Sequence, residues 1–430
     1  MNTRNSLYNI LFLFSLLVFI SCEKENALEC PGQDDRAIDI IAGPSLGGST
    51  MAYLTNPYGG LRDERYVSTY PIFMNWLDGC QETYTVNLLS KRSYTIPSPI
   101  VGQGVSYEEI YSLASFFNIG HIESIDLTQQ LPDGNYSSVQ TAAFSITITD
   151  IPSVEEVIVL PDGSFTSSSN VAAQTRKLNF PESVINEKRP WRYVGVRLPG
   201  SSELRAICID RRNDQSRTIP FSDFNEVLTE EEIVLTGEEA NTFEAKVVLD
   251  IAEQKVVELG QQVVDEQKIK TWIPTVSEGL ILRFSSSSFQ SAESWRQQEY
   301  YEELPNEVFL EINAIEAVTI DGTTASVELN LPGYLHLANS NYPLLIISGY
   351  FRSLEGLLEA GKTRLRIPKV SDKFIASYPQ AATLDDVWER RGFWATHYHY
   401  PAAQSLDQYK RLTELSWLDR QRYQRCSIKF

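Results

Sequence analysis

The chain has only four histidines among its 430 residues, and two of them lie two apart, in Trp394-Ala395-Thr396-His397-Tyr398-His399-Tyr400. In an extended segment His397 and His399 would point to the same side, one way to present two imidazoles to a metal ion. A site would need a third ligand, from His121, His336 or a carboxylate elsewhere in the fold. The alternative is that both rings pack between elements. Nucleophile and phosphate signatures are absent: the chain has no GxSxG, HExxH, GxxxxGK[ST], or GxGxxG between strand and helix. Adjacent acids such as Asp385-Asp386 and Glu302-Glu303 carry no information in a chain with 56 carboxylates. A glycoside hydrolase needs two carboxylates about 5 to 10 Å apart across a cleft, which spacing in sequence does not show. No catalytic residue is assigned, and no cofactor is called for.

Aromatic side chains are the positive signal. Trp388, Trp394, Tyr398 and Tyr400, with Phe393, cluster near the end of the chain, and Trp295, Tyr300 and Tyr301 form a second group. Sugar rings dock their apolar CH faces on exposed indole and phenol rings while amides and carboxylates bind the hydroxyls. The four named aromatics are therefore candidate ligand contacts. The competing role for them is core packing. Pro401 biases Tyr400 toward an extended conformation.

The start of the chain has a different chemistry. Arg4 precedes a mostly apolar run from Leu7 to Ile20, the n-region and h-region of an export signal covering residues 1–21. The run is short for a span, which takes about 20 apolar residues. Phe19-Ile20-Ser21-Cys22 resembles a bacterial lipobox, with phenylalanine where leucine is usual, and implies cleavage before Cys22 and lipid on its thiol. Glu23-Lys24-Glu25 is similar to the signal that sends lipoproteins of the Bacteroidota to the outer face of the outer membrane. Two or more acyl chains would hold such a protein firmly, at about 0.8 kcal/mol per buried CH₂.

With 37 basic and 56 acidic side chains the formal net charge is −19. That surface repels phosphate backbones and anionic headgroups, which disfavours nucleic acid as a partner. A content of 42% hydrophobic residues supports a folded chain. Apart from Cys22, the cysteines at 30, 80, 208 and 426 have no metal spacing and allow three pairings or none.

The elements that must position these groups read mainly as β. Residues 22–36 are a polar tether. Ala37 to Ile41, Thr83 to Leu89, Ser93 to Ile96, Val139 to Thr149, Val154 to Leu160, Trp191 to Leu198, Leu204 to Ile209, Phe243 to Ile251, Gly279 to Phe284, Leu344 to Phe351 and Thr363 to Ile367 are predicted strands, separated by turn residues such as Pro161-Asp162-Gly163. Asp321-Gly322 predicts a hairpin with a type I′ turn. Serine runs at 167–169 and 285–288 read as exposed loops. Ser106-Tyr107-Glu108-Glu109 has the form of a capping box opening a helix to Phe117. Thr383-Leu384-Asp385-Asp386 and Ser405-Leu406-Asp407-Gln408 read as helix starts, the second followed by Leu406, Tyr409, Leu412, Leu415 and Leu418 at helical spacing.

The expected fold class is thus mainly β: two antiparallel β-sandwich-like domains, at 37–220 and 221–370, with a few short helices and a helical C-terminal appendage at 371–430. In plan this resembles the accessory glycan-binding lipoproteins that Bacteroidota place beside nutrient importers, implying polysaccharide or an outer-membrane importer as partner, the membrane being reached through Cys22. A fimbrillin-like structural or adhesion subunit, cleaved near Arg62 or Arg65, and a surface glycoside hydrolase are the alternatives. Cys22→Ala should abolish labelling by radioactive palmitate and move the protein to the soluble exported fraction; unchanged membrane association would refute the anchor.

Overall fold

The computed structural model describes residues 37–42, 49–75, 83–96, 106–120, 124–127, 138–152, 156–161, 166–170, 174–186, 190–212, 216–264, 266–287, 293–311, 315–341, 348–389, 393–404, 408 and 415–429. The signal, the tether, Cys22, Cys30, Cys80 and Asp162-Gly163 lie outside them. Among the described residues the protein is mainly β, with 30 strands and a few short helices.

The first stretch holds β1 (Ala37–Ala42), β2 (Ser49–Thr55), β3 (Leu61–Val67), β4 (Ile72–Asn75), β5 (Thr83–Ile96), β6 (Ser106–Gly120) and β7 (Ser124–Asp126). Next come β8 (Ser138–Thr141), β9 (Phe144–Thr149), β10 (Glu156–Leu160), β11 (Thr166–Asn170), β12 (Thr175–Phe180), β13 (Ser183–Asn186), β14 (Trp191–Arg197), β15 (Glu203–Asp210) and β16 (Arg217–Pro220). The middle of the chain forms β17 (Glu226–Gly237), β18 (Thr242–Asp250), β19 (Lys255–Val263), β20 (Lys268–Pro274), β21 (Gly279–Ser287), β22 (Glu293–Tyr301) and β23 (Glu307–Leu310). Then follow β24 (Ile315–Asp321), β25 (Thr324–Leu329), β26 (Gly333–Asn341), β27 (Ser348–Leu358), β28 (Gly361–Arg366), helix α1 (Asp372–Ser377), β29 (Trp394–His399) and β30 (Tyr423–Lys429).

Twelve of these strands make one sheet, in the order β19-β18-β21-β22-β30-β29-β26-β27-β6-β5-β2-β3. All its neighbours are antiparallel except β27 and β6. Its strands come from all three stretches expected to be separate, so hydrogen bonding runs across the boundaries at 220 and 370. Smaller layers cover it. The sheet β10-β14-β15-β17-β20 packs on β18, β19, β21 and β22 through Tyr193, Leu204, Val247, Leu282, Phe284 and Trp295. Its other face packs on the sheet β11-β12-β9-β16 through Phe144, Ile146, Leu178 and Val194. The hairpin sheet β24-β25-β28 covers Leu335, Leu337 and Leu354, and β4-β1-β7 covers the opposite face through Ile38, Ile40, Ala52 and Val86.

Several local readings gave way to tertiary pairing. The helix expected from Ser106 is β6, because the stretch is paired on both sides, by β5 and β27, and Tyr111 and Leu113 alternate with half-buried Ser112 and Ala114. The predicted strand Val139 to Thr149 is broken at Ala142-Ala143 into β8 and β9, which join different sheets. Ser167 to Ser169 lie in β11, exposed but paired with β12, and Ser285 to Ser287 extend β21. Thr383-Leu384 end a 3₁₀ turn at Pro379–Leu384 instead of opening a helix. The start at Ser405 lies outside the described residues, as do Leu406, Tyr409 and Leu412. Residues 371–430 do contain short helices, yet β29 and β30 of the same segment enter the middle of the large sheet, so the appendage is in part structural core.

A polar peg places the segment that precedes β29. The Arg352 guanidinium, 1% exposed, donates to the carbonyls of Leu384 (2.8 Å) and Pro368 and to Asp385 Oδ1 (3.2 Å). Asn339 Nδ2 donates to Val387 O at 2.6 Å, and the Tyr53 hydroxyl to Lys369 O at 2.8 Å. Phe374, Ala381, Leu384 and Val387 then close over Met51, Leu89, Tyr111 and Leu113.

The β24–β25 hairpin forms where expected, with a different turn. Pairing of Asp321 with Thr324 leaves Gly322-Thr323 as the loop, and only Gly322 has positive φ, +48°. One positive φ at the first loop position is the type II′ arrangement; type I′ would have required both central residues in that region. A Cβ at Gly322 would meet nothing within 4 Å, so substitution there strains the backbone alone. Gly322→Val should destabilise the protein by about 1 kcal/mol or more, and Thr323→Val should leave the melting temperature unchanged; equal effects at both positions would contradict this register.

Candidate functional site

Strand β29 sends successive side chains to opposite faces of the sheet, and this separates the residues singled out in the sequence. Ala395, His397 and His399 face the hairpin sheet, while Trp394, Thr396 and Tyr398 face the side where β4-β1-β7 packs. His397 sits between Cys426 of β30 and Leu335 of β26 and is 2% exposed. Its Nε2 lies against the backbone of Gly333, where an added Cβ would come within 2.5 Å of it. His399 Nδ1 donates to Pro332 O at 2.8 Å. His399 thus bonds to the backbone of the turn that enters β26, and His397 Nε2 is buried against the same turn without a hydrogen-bond partner among the described residues. No group of three His, Cys, Asp or Glu suited to a metal occurs among the described residues.

The aromatics divide as well. Trp388 is buried edge-on to Phe393, with centroids 6.1 Å apart at 75°. Tyr398 is buried beside Tyr334, and Tyr400, 2% exposed, stacks on Tyr423 at 5.4 Å. These three are core residues, because the segment expected to be a presenting loop is a central strand or is packed against one. Trp394 alone of the four is accessible, at 46%. Lys429 Nζ lies 5.5 Å from its ring centroid.

Beside Trp394 a lateral row of polar side chains crosses four strands. Ser427 of β30 pairs with Thr396 of β29, Thr396 with His336 of β26, and His336 with Glu355 of β27. Paired residues share a face, with Cβ atoms about 4.5 to 5.5 Å apart. Thr396 Oγ1 and Ser427 Oγ are hydrogen-bonded at 2.9 Å. The Glu355 carboxylate, 3% exposed, accepts from the Tyr334 hydroxyl and from Ser353 Oγ (3.2 Å), with His336 Nε2 at 3.8 Å from Oε1. Burial first, and then the neighbouring Glu355 charge, push the Tyr334 hydroxyl well above its ordinary pKa, so it stays a donor. His336 is half-buried and backed by an acid. The row therefore holds two buried hydroxyls bonded to each other and a half-buried imidazole, on paired strands next to an accessible indole.

One row along the strands, Arg296 of β22 stands directly opposite Arg425 of β30, and the Arg425 guanidinium lies 5.4 Å from the centroid of Tyr398. The sequence carried a sign of this patch: Arg420 to Lys429 holds four basic residues and no acid, in a chain of net charge −19. No such sign exists for His336 and Glu355, which only strand register brings together. The two described cysteines, Cys208 and Cys426, are free thiols, pushed by burial up to about 12 and about 11. No helix among the described residues is long and apolar enough to cross a membrane.

No protein-family model matches the chain, and no curated protein is significantly similar to it.

Burial, followed by the nearby His399, lowers the His397 pKa to about 4, with the Leu331 backbone acting in the opposite sense. The unfolded chain would take up a proton near pH 6.5 that the folded one refuses until about pH 4. The contribution is full above the unfolded pKa and is lost as pH falls through this window, by on the order of 3 kcal/mol. Denaturant titrations from pH 7 to 4 should show that decline shrinking in His397→Gln; an NMR midpoint for His397 near 6.5 would contradict the burial argument.

Proposed function

We propose that this protein is a surface-anchored binding lipoprotein whose task is accessory capture of glycans or related nutrients, with the face around Trp394 as its binding site. The single observation that supports this most is the accessible indole of Trp394 beside the row Ser427, Thr396 and His336, in a segment where Trp388, Tyr398 and Tyr400 are buried. A sugar ring stacks one face on an indole and needs donors and acceptors at its edge. The half-buried His336 supplies one such group from a strand that does not have to reorganise on binding, while the Thr396 and Ser427 hydroxyls are buried and bonded to each other. The lipobox-like Phe19 to Cys22 supports attachment to the outer membrane, where captured polysaccharide could pass to an importer. The structural-subunit alternative needs a sheet edge open to a donor strand. The edge strand β3 carries Arg62, Asp63, Glu64 and Arg65, and charge on an edge discourages strand addition. Both arginines lie in a paired strand, which also makes them poor cleavage sites.

Native gels cast with polysaccharide test this reading. Trp394→Ala should lose retardation while melting as the wild type does, since the side chain is half exposed. Tyr400→Ala, in the core, should cost about 3 to 5 kcal/mol of stability. Retardation that survives Trp394→Ala unchanged would remove this face from the proposal.

A further inference from the structure

We propose that the open edge of β28 is a docking site for an extended segment of another protein with acidic residues at alternate positions, an inference independent of the glycan reading. Among the described residues β28 pairs with β25 alone. Ile367 N donates to Thr323 O at 2.9 Å, and in an antiparallel ladder every second residue exchanges bonds with its partner. Carried along the unbroken register, this makes Leu365, Thr363 and Gly361 the residues bonded to β25. The N–H and C=O groups of Lys362, Arg364 and Arg366 therefore point to the open edge, where they form a template for a further strand.

The side chains of the same three residues are exposed on the outer face of the hairpin sheet, with Leu365 buried on the inner one. Alternate residues of any strand are about 6.6 to 6.8 Å apart, so each cation would stand beside one acid of the partner. Among the described residues no ion pair engages these cations: Arg364 Nη2 reaches Thr324 Oγ1 at 3.5 Å, and the Arg366 side chain lies against Gly59. Two acids share the outer face, Glu328 opposite Lys362 and Asp321 across Thr324 from Arg366, both on the side away from the open edge. Tyr58, 81% exposed beside Gly59, offers an aromatic contact at the Arg366 end. A row of one sign also selects. A second copy of β28 along this edge would set cation against cation, which is destabilising, whereas each face of β3 carries both signs. The net charge of −19 opposes an acidic partner from afar, but cross-strand neighbours meet within the Debye length of about 8 Å, where the local cations dominate.

Fluorescence anisotropy with three short peptides tests this: glutamate alternating with valine, the same composition with the glutamates grouped at one end, and lysine alternating with valine. The first should bind the full chain about tenfold or more tightly than either of the others, with affinity falling as salt rises. Its binding should slow hydrogen exchange at the amides of Lys362, Arg364 and Arg366 and leave Thr363 and Leu365, already bonded to β25, unchanged. Arg364→Glu, at an exposed position, should melt as the wild type does, lose the acidic peptide and gain the lysine one; Lys362→Glu should act in the same direction, and Trp394→Ala should change none of these results. Grouped and alternating glutamates bound alike, or no protection at the three amides, would overturn strand addition, and failure of every peptide to bind would overturn the site. Self-association abolished by Arg364→Glu would assign the edge to a second copy, and polygalacturonate bound more tightly than the acidic peptide would assign the row to a saccharide; either result overturns the choice of partner.

Discussion

The backbone ladder that β29 and β30 complete between β22 and β26 is the constraint on which the rest of the molecule depends. A strand's N–H and C=O groups must be paired when they are buried, and these two strands pair with each other and with a neighbour on each side. Without them the large sheet is two half-sheets, each ending in an unpaired edge. With them the polar row, the Arg296–Arg425 pair and Trp394 fall on one continuous face. The candidate site is therefore a property of the join, since neither half-sheet contains it.

What brings the chain to that join is a set of buried polar contacts together with the apolar cluster of Phe374, Ala381, Leu384 and Val387 on the sheet. Arg352, Asn339 and Tyr53 reach from the sheet to backbone carbonyls of residues 368–387. A guanidinium that is 1% exposed is tolerable because both its Nη groups have acceptors, which leaves only Nε without one among the described residues. Loss of a partner from such a group costs about 3 to 5 kcal/mol, so the arrangement fixes the path of the segment strongly. It also explains why Trp388 and Phe393 are packed: they lie at the end of a segment held down on the sheet.

Strand existence was legible where the signal is local. Phe144, Ile146 and Ile148 alternate with Ser145, Thr147 and Thr149, and the chain there is a half-buried strand; the hairpin at Gly322 announced itself by a glycine between two β-rich runs. What could not be read is which strands meet. Ser106 to Glu109 has good capping chemistry, but two long neighbours outweigh one cap. The aromatics near the end were legible as a group, and their fates were not, because burial turns on which face of β29 each residue takes and on what covers that face. His336 and Glu355 form the middle of the polar row without any motif. The basic run at 420–429 was in plain view, but which face of the sheet its side chains take needed the register of β30.

The join has a consequence in time. Synthesis delivers β22 long before β30, and contacts such as Gln298 to Gln421 close a separation of 123 residues. Until the last described strands emerge, β22 and β26 present the open edges that invite wrong pairing. Non-local pairings of this kind make a fold slow to form. The nascent chain is thus exposed to misassembly for as long as its closing strands are still being made, and a helper that shields strand edges over that interval would matter more to its yield than any gain in the stability of the finished sheet.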